Sequence, residues 1–140
     1  MIAAQSNDPF RRQWLLVIFL ATAGSALAGV TAVGAAESTV RLTIDYGDGV
    51  QKTFVALPWK EKLTVFGTLE AAAQYPRGIK VTHTGNGETT FVTAIDDRTN
   101  EGQGGSNWRY EVNGERLPVS AGVAELKAGD AVVWRFEKSQ

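Results

Sequence analysis

Few residues in this chain could carry covalent chemistry. His83 is the only histidine and there is no cysteine. The missing thiols exclude thiolate metal sites, iron–sulfur clusters and cysteine nucleophiles. A Ser-His-Asp arrangement would need a serine on a strained turn beside His83, and no such motif is present. Ile79, Val81 and His83 start a strand, and with no catalytic motif beside it His83 is expected as a surface or sheet-edge histidine. Asp97-Arg98-Thr99-Asn100-Glu101-Gly102 echoes a calcium loop, but Trp108 stands where the twelfth-position glutamate is needed. Asp45 and Asp48 flank a turn, where aspartate is ordinary. No phosphate-cradling loop, zinc-protease motif or catalytic carboxylate pair occurs at a credible spacing.

The side chains with most to offer a ligand are aromatic. Trp108, Tyr110 and Val112 alternate with Arg109 and Glu111, and Asn113-Gly114 then supplies a type I′ turn signal. About twenty residues on, Val132, Trp134 and Phe136 alternate with Val133, Arg135 and Glu137. Trp134 is expected in the core. Trp108 and Tyr110 follow the glycine-rich stretch Asp96–Ser106, which reads as a long loop next to which a flat ligand could meet an aromatic face. Core packing of the same two rings is the competing assignment.

Other elements must position those strands. Val40, Leu42, Ile44 and Tyr46 alternate with polar residues, Gly47-Asp48-Gly49 turns the chain, and Val50 to Leu57 returns with Phe54 as its anchor. Thr64 can cap a helix whose apolar stripe is Val65, Phe66, Leu69, Ala72 and Ala73, with Pro76 and Gly78 beyond its end. A third strand begins at Ile79 and a fourth runs from Thr89 to Ile95. Glu115 to Ala128 crosses irregularly, and the Trp134 strand closes the domain. This order, two strands, one helix and further strands, is that of an α+β β-grasp fold: a mixed sheet of about five strands on a single helix.

The chain has 140 residues and a formal net charge of −1. With signs interspersed it offers no electrostatic footprint for nucleic acid. Arg11 and Arg12 precede a run uncharged from Trp14 to Ala36, and Ser25-Ala26-Leu27-Ala28 and Gly34-Ala35-Ala36 offer small-residue cleavage sites. Residues 1–36 are therefore expected to be a signal peptide, cut after Ala28 or Ala36. The alternative is an uncleaved membrane anchor, since the run exceeds the roughly 20 apolar residues that span a bilayer. The arginine pair also loosely resembles a twin-arginine export signal. Residues 37–140 form the expected domain, exported to a periplasmic, extracellular or cell-surface location.

Together, Trp108-x-Tyr110-x-Val112-Asn113-Gly114 and Leu126-x-x-Gly129-Asp130-x-Val132-x-Trp134-x-Phe136 resemble the transcobalamin C-terminal-like domain, a β-grasp family of bacterial exported and surface proteins. Val40-x-Leu42-x-Ile44-Asp45-Tyr46-Gly47-Asp48-Gly49 and Leu63-Thr64-Val65-Phe66 add to the likeness, which covers Ser38 to Glu137. It implies a non-enzymatic ligand-binding module with cobalamin as the candidate ligand and no other cofactor. It also implies binding contacts at Trp108, Asn113, Gly114 and Leu117, beside Tyr110 from the strand pattern. The helical barrel that supplies a second wall in cobalamin carriers is not in this sequence, so binding by one wall should be weak. A protein-interaction or surface-adaptor domain without a small ligand is the alternative.

Overall fold

The structure, a computed structural model, describes residues 38–140. The expected signal or anchor segment, 1–36, lies outside the described residues. β1 (Thr39–Asp45) and β2 (Gln51–Pro58) form an antiparallel hairpin, followed by helix α1 (Val65–Ala73). β3 (Val81–Thr84), a 3-10 turn (Gly87–Thr89), β4 (Phe91–Ile95) and the two-residue β5 (Arg98–Thr99) come next. β6 (Ser106–Val112) and β7 (Ala131–Lys138) complete the chain. The fold is mixed α+β with one helix among the described residues.

The strands form two sheets rather than the single sheet of about five that the sequence suggests. One has the order β2-β1-β7-β6 and the other β3-β4-β5. β1 and β7 are the parallel centre of the larger sheet, with Leu42 beside Val132 and Ile44 beside Trp134. A parallel pair needs a long crossover, and everything between β2 and β7 supplies it. The alternation of β1 works as expected: Val40, Leu42 and Ile44 are buried, with Arg41 exposed between them. In β2 the anchor is different. Val40 pairs with Leu57 but Leu42 pairs with Phe54, so two steps on β1 face three on β2. This bulge turns Leu57 fully inward and leaves Phe54 half-buried against Tyr75.

Helix α1 starts where Thr64 predicts. Its Oγ1 accepts from Gly67 N at 3.1 Å. Two of the early N–H groups, which a helix cannot satisfy itself, are met by the crossing segment: Val65 N donates to Ala124 O and Phe66 N to Ala121 O, both at 2.9 Å, before Thr68 N opens the helical ladder on Thr64 O. The 115–128 crossing is thereby fastened to the helix. Val65, Thr68, Leu69 and Ala72 face the core, and Thr68 satisfies its buried hydroxyl on Val65 O at 2.6 Å.

The Asp96–Ser106 stretch is not the open loop its composition suggests. Arg98 and Thr99 add a third strand to β4, and Asn100 N donates to Thr93 O at 2.8 Å. Glu101 N bonds Ser106 O, and the Asn107 carboxamide accepts from Gly102 N and donates to Gly102 O. The Asn107 carboxamide and the Glu101 carboxylate, which accepts from Ser106 N at 2.6 Å, thus replace ladder partners that a regular strand would have supplied.

Candidate functional site

β6 and β4 run close together without pairing, and between them lies a cavity of about 300 Å³. Trp108 and Tyr110 from β6 and Trp134 from β7 line it as an aromatic wall. Phe91 and Val92 of β4 face them, and Leu117, Val119, Ser120 and Ala121 of the crossing segment close one end. Trp108 and Trp134 are 5% and 3% exposed, whereas Phe91 and Val119 are 58% and 48% exposed. Large apolar side chains standing in water beside a cavity are a common mark of a binding surface.

The walls are held in place by specific bonds. Trp108 Nε1 donates to Arg98 O at 2.8 Å, and Tyr110 Oη donates to Val119 O at 2.5 Å. Burial raises the Tyr110 phenol above its ordinary pKa. Ser120 Oγ donates to Thr90 O at 2.7 Å, sewing the crossing to the start of β4. Gly122 permits that approach, since a Cβ there would stand 2.3 Å from Gly87 O and 2.4 Å from Thr90 Oγ1. Arg116 also lines the cavity, but its charge is matched by Glu137 and by Glu111 at 3.6 Å. Trp134 differs from its neighbours. Its indole packs on Tyr110 with centroids 5.3 Å apart, and its buried Nε1 has no hydrogen-bond partner among the described residues.

Three of the five residues singled out from the sequence, Trp108, Tyr110 and Leu117, line this cavity together. Asn113 and Gly114 do not. They form the expected turn, with φ of 51° and 81°. The Asn113 carboxamide is occupied, donating to Asp130 Oδ1 and accepting from Ala131 N, both at 2.9 Å, and so clips the turn to β7. Sequence reasoning missed Phe91, Val119 and Ser120. Phe91 had a signal: Val92 and Ala94 are the inward pair on that strand, which puts the ring at an outward position. Val119 and Ser120 lie in irregular chain with no periodicity to read.

Two other depressions lie elsewhere on the surface. One, of about 480 Å³, is bordered by Tyr46, Asp48, Lys52, Asp96, Asp97 and Arg98. Here Tyr46 donates to Asp96, Arg98 pairs with Asp48 at 2.6 Å, and Lys52 Nζ reaches Gly78 O at 2.5 Å. Burial, and then Asp96, raises the Tyr46 pKa, while the Val50 N–H and then Arg98 lower that of Asp48. The other, of about 510 Å³, runs along one side of α1 between Pro58 and Gln74. His83 is exposed on β3 with its ring 4.6 Å from Phe66. Among the described residues no three His, Asp or Glu side chains gather as a metal site would require.

Comparison with known proteins places this architecture. No curated protein matches the sequence. A crystal structure from Ruminococcus gnavus, described as that of "a putative metal binding protein", superposes with a TM-score of 0.59. The superposition covers 74% of this chain and 100% of that one, at 19% sequence identity, which shows a shared fold. Residues 64–138, from the helix cap to the end of β7, match the family described as a domain of unknown function, DUF4430. That span holds every residue of the cavity wall, and the chain belongs to the DUF4430 family.

Proposed function

We propose that this chain is an exported, non-enzymatic module that binds a small molecule in the β4–β6 cavity. The observation that carries the reading is an aromatic wall of Trp108, Tyr110 and Trp134 opening between exposed Phe91 and Val119. Such a site favours a flat, apolar group and contains nothing arranged as nucleophile and base. The parallel pairing of β1 and β7, with α1 in the crossover between them, is compatible with the β-grasp reading, and the resemblance to transcobalamin C-terminal-like domains supports a binding role. A corrinoid is the ligand that resemblance names. A volume of about 300 Å³ is at the lower end for drug-sized ligands, so a corrinoid would enter only in part. Its affinity is then expected to be micromolar or weaker, about −8 kcal/mol at best.

A thermal-shift screen of the full chain with cobalamins and small planar compounds tests the proposal. Hits are then titrated against Phe91→Ala and, as a remote control, Val55→Ala. Phe91→Ala should weaken binding roughly tenfold, the effect of about 1.4 kcal/mol of lost contact. Val55→Ala should leave it unchanged. Equal effects of the two substitutions, or no saturable ligand, would contradict the proposal. The protein-interaction alternative has one observation in its favour: Val50 and Val55 are exposed at the β2 edge of the larger sheet. The bulge beside Val55 makes that edge a poor template for a further strand.

A further inference from the structure

The edge of β6 offers the cavity an unpaired backbone amide. Along an antiparallel strand, alternate residues point their N–H and C=O groups toward the neighbour and away from it. Asn113 N donates to Ala131 O at 2.8 Å, which fixes the phase of the β6–β7 ladder. Asn107, Arg109 and Glu111 therefore face β7, and Ser106, Trp108, Tyr110 and Val112 turn outward. Three of those four N–H groups have partners: Ser106 N on Glu101 Oε2 at 2.6 Å, Trp108 N on Asn100 Oδ1 at 2.8 Å and Val112 N on Glu115 O at 2.9 Å. Among the described residues no hydrogen bond reaches the Tyr110 N–H or C=O, and Tyr110 lines the cavity.

The adjacent rung shows what chemistry spans this gap. The Asn100 carboxamide accepts from Trp108 N and donates through Nδ2 to Val92 O at 2.9 Å, bridging β6 and β4. One rung further along β6, at Tyr110, the chain supplies no such amide. A ligand that fills the cavity takes the Tyr110 N–H and C=O out of water. It binds well only if it replaces both hydrogen bonds. Resting on the small-molecule reading of this cavity, we infer that the ligand carries an N-substituted carboxamide: its C=O on Tyr110 N–H, its N–H on the Tyr110 or Trp108 C=O, and its apolar substituent against the aromatic wall. The amide can belong to a small molecule or to the backbone of an extended peptide.

The test uses 15N-labelled full chain, N-benzylacetamide and its isostere benzyl acetate, which lacks the N–H donor. The amide should bind roughly five- to tenfold more tightly than the ester, the effect of one neutral hydrogen bond. At saturation the exchange of the Tyr110 backbone proton, fast in the free protein, should slow at least about tenfold as it gains an acceptor. A third arm, acetyl-Ala-Phe-Ala-amide, separates the sources. Tighter binding than N-benzylacetamide assigns the amide to a peptide, and weaker binding assigns it to a small molecule. Either ordering with Tyr110 protected supports the inference. Equal binding of amide and ester, with Phe91 and Leu117 shifting but Tyr110 unmoved, would overturn it and leave the cavity reading standing. No saturable shift at Phe91 or Leu117 with any of the three would overturn both.

Discussion

Trp108 and Trp134 are almost equally buried, yet replacing each by phenylalanine should have different consequences. Both substitutions remove the same ring atoms and leave the same kind of void, roughly 2 kcal/mol of lost burial and cavity. Trp108→Phe additionally loses the bond to Arg98 O, adding about 1 kcal/mol or more. Trp134→Phe removes an N–H that is buried without a partner among the described residues, and relief of that desolvation returns about 1 kcal/mol or more. Trp108→Phe should therefore cost about 3 kcal/mol and Trp134→Phe about 1 kcal/mol, a gap near 2 kcal/mol. Urea denaturation with a common slope reads this gap as a difference in midpoint. Equal costs, or a larger cost for Trp134→Phe, would refute the reasoning by showing that Trp134 Nε1 is paired in solution.

Other substitutions and conditions probe the rest of the molecule. Gly122→Ala should destabilise the protein by roughly 1–3 kcal/mol by forcing a methyl group against Gly87 O and Thr90; a cost below about 0.5 kcal/mol in the same urea assay would show that the crossing is looser than described. Thr64→Ala should cost about 1 kcal/mol through loss of the helix cap, and helix content by circular dichroism near its midpoint should fall with it. The raised Tyr46 and Tyr110 pKa values mean that both phenols stay protonated in the folded chain above the ordinary phenol range. Their contribution to stability is complete below the unfolded value, about pH 10, and is lost as pH rises through the folded values; Tyr46→Phe should reduce the alkaline loss, and an unchanged alkaline profile would contradict this. Intact-mass measurement of protein from the producing cell should show Gly29 or Glu37 as the first residue, and a full-length mass would favour the anchor.

Much of the fold was legible because its signals are local. The alternation of Val40, Leu42 and Ile44, the Thr64 cap and the paired positive φ at Asn113 and Gly114 each follow from a few neighbouring residues. Division into two sheets was not legible, because it depends on which strand edges meet. The sequence around Asn100 could not announce that a side-chain amide would bridge β4 and β6 where a strand rung was expected. The candidate site was readable in part for the same reason. Trp108 and Tyr110 stand out as aromatics on a strand, but Val119 and Ser120 reach the cavity only through the path of the crossing. Asn113, which the family resemblance offers as a contact, lies outside the cavity with its carboxamide bonded to Asp130 and Ala131.

The central claim is that the β4–β6 cavity is where this protein meets its ligand. Indole-15N labelling of the full chain tests it most directly, because Trp108 and Trp134 line the cavity while Trp59 donates to Leu126 O elsewhere. The full chain is titrated with each compound that raises its melting temperature. Saturable movement of the Trp134 and Trp108 indole resonances, with Trp59 unmoved, is the result expected. A stabilising compound that moves Trp59 and leaves Trp108 and Trp134 in place would contradict the account.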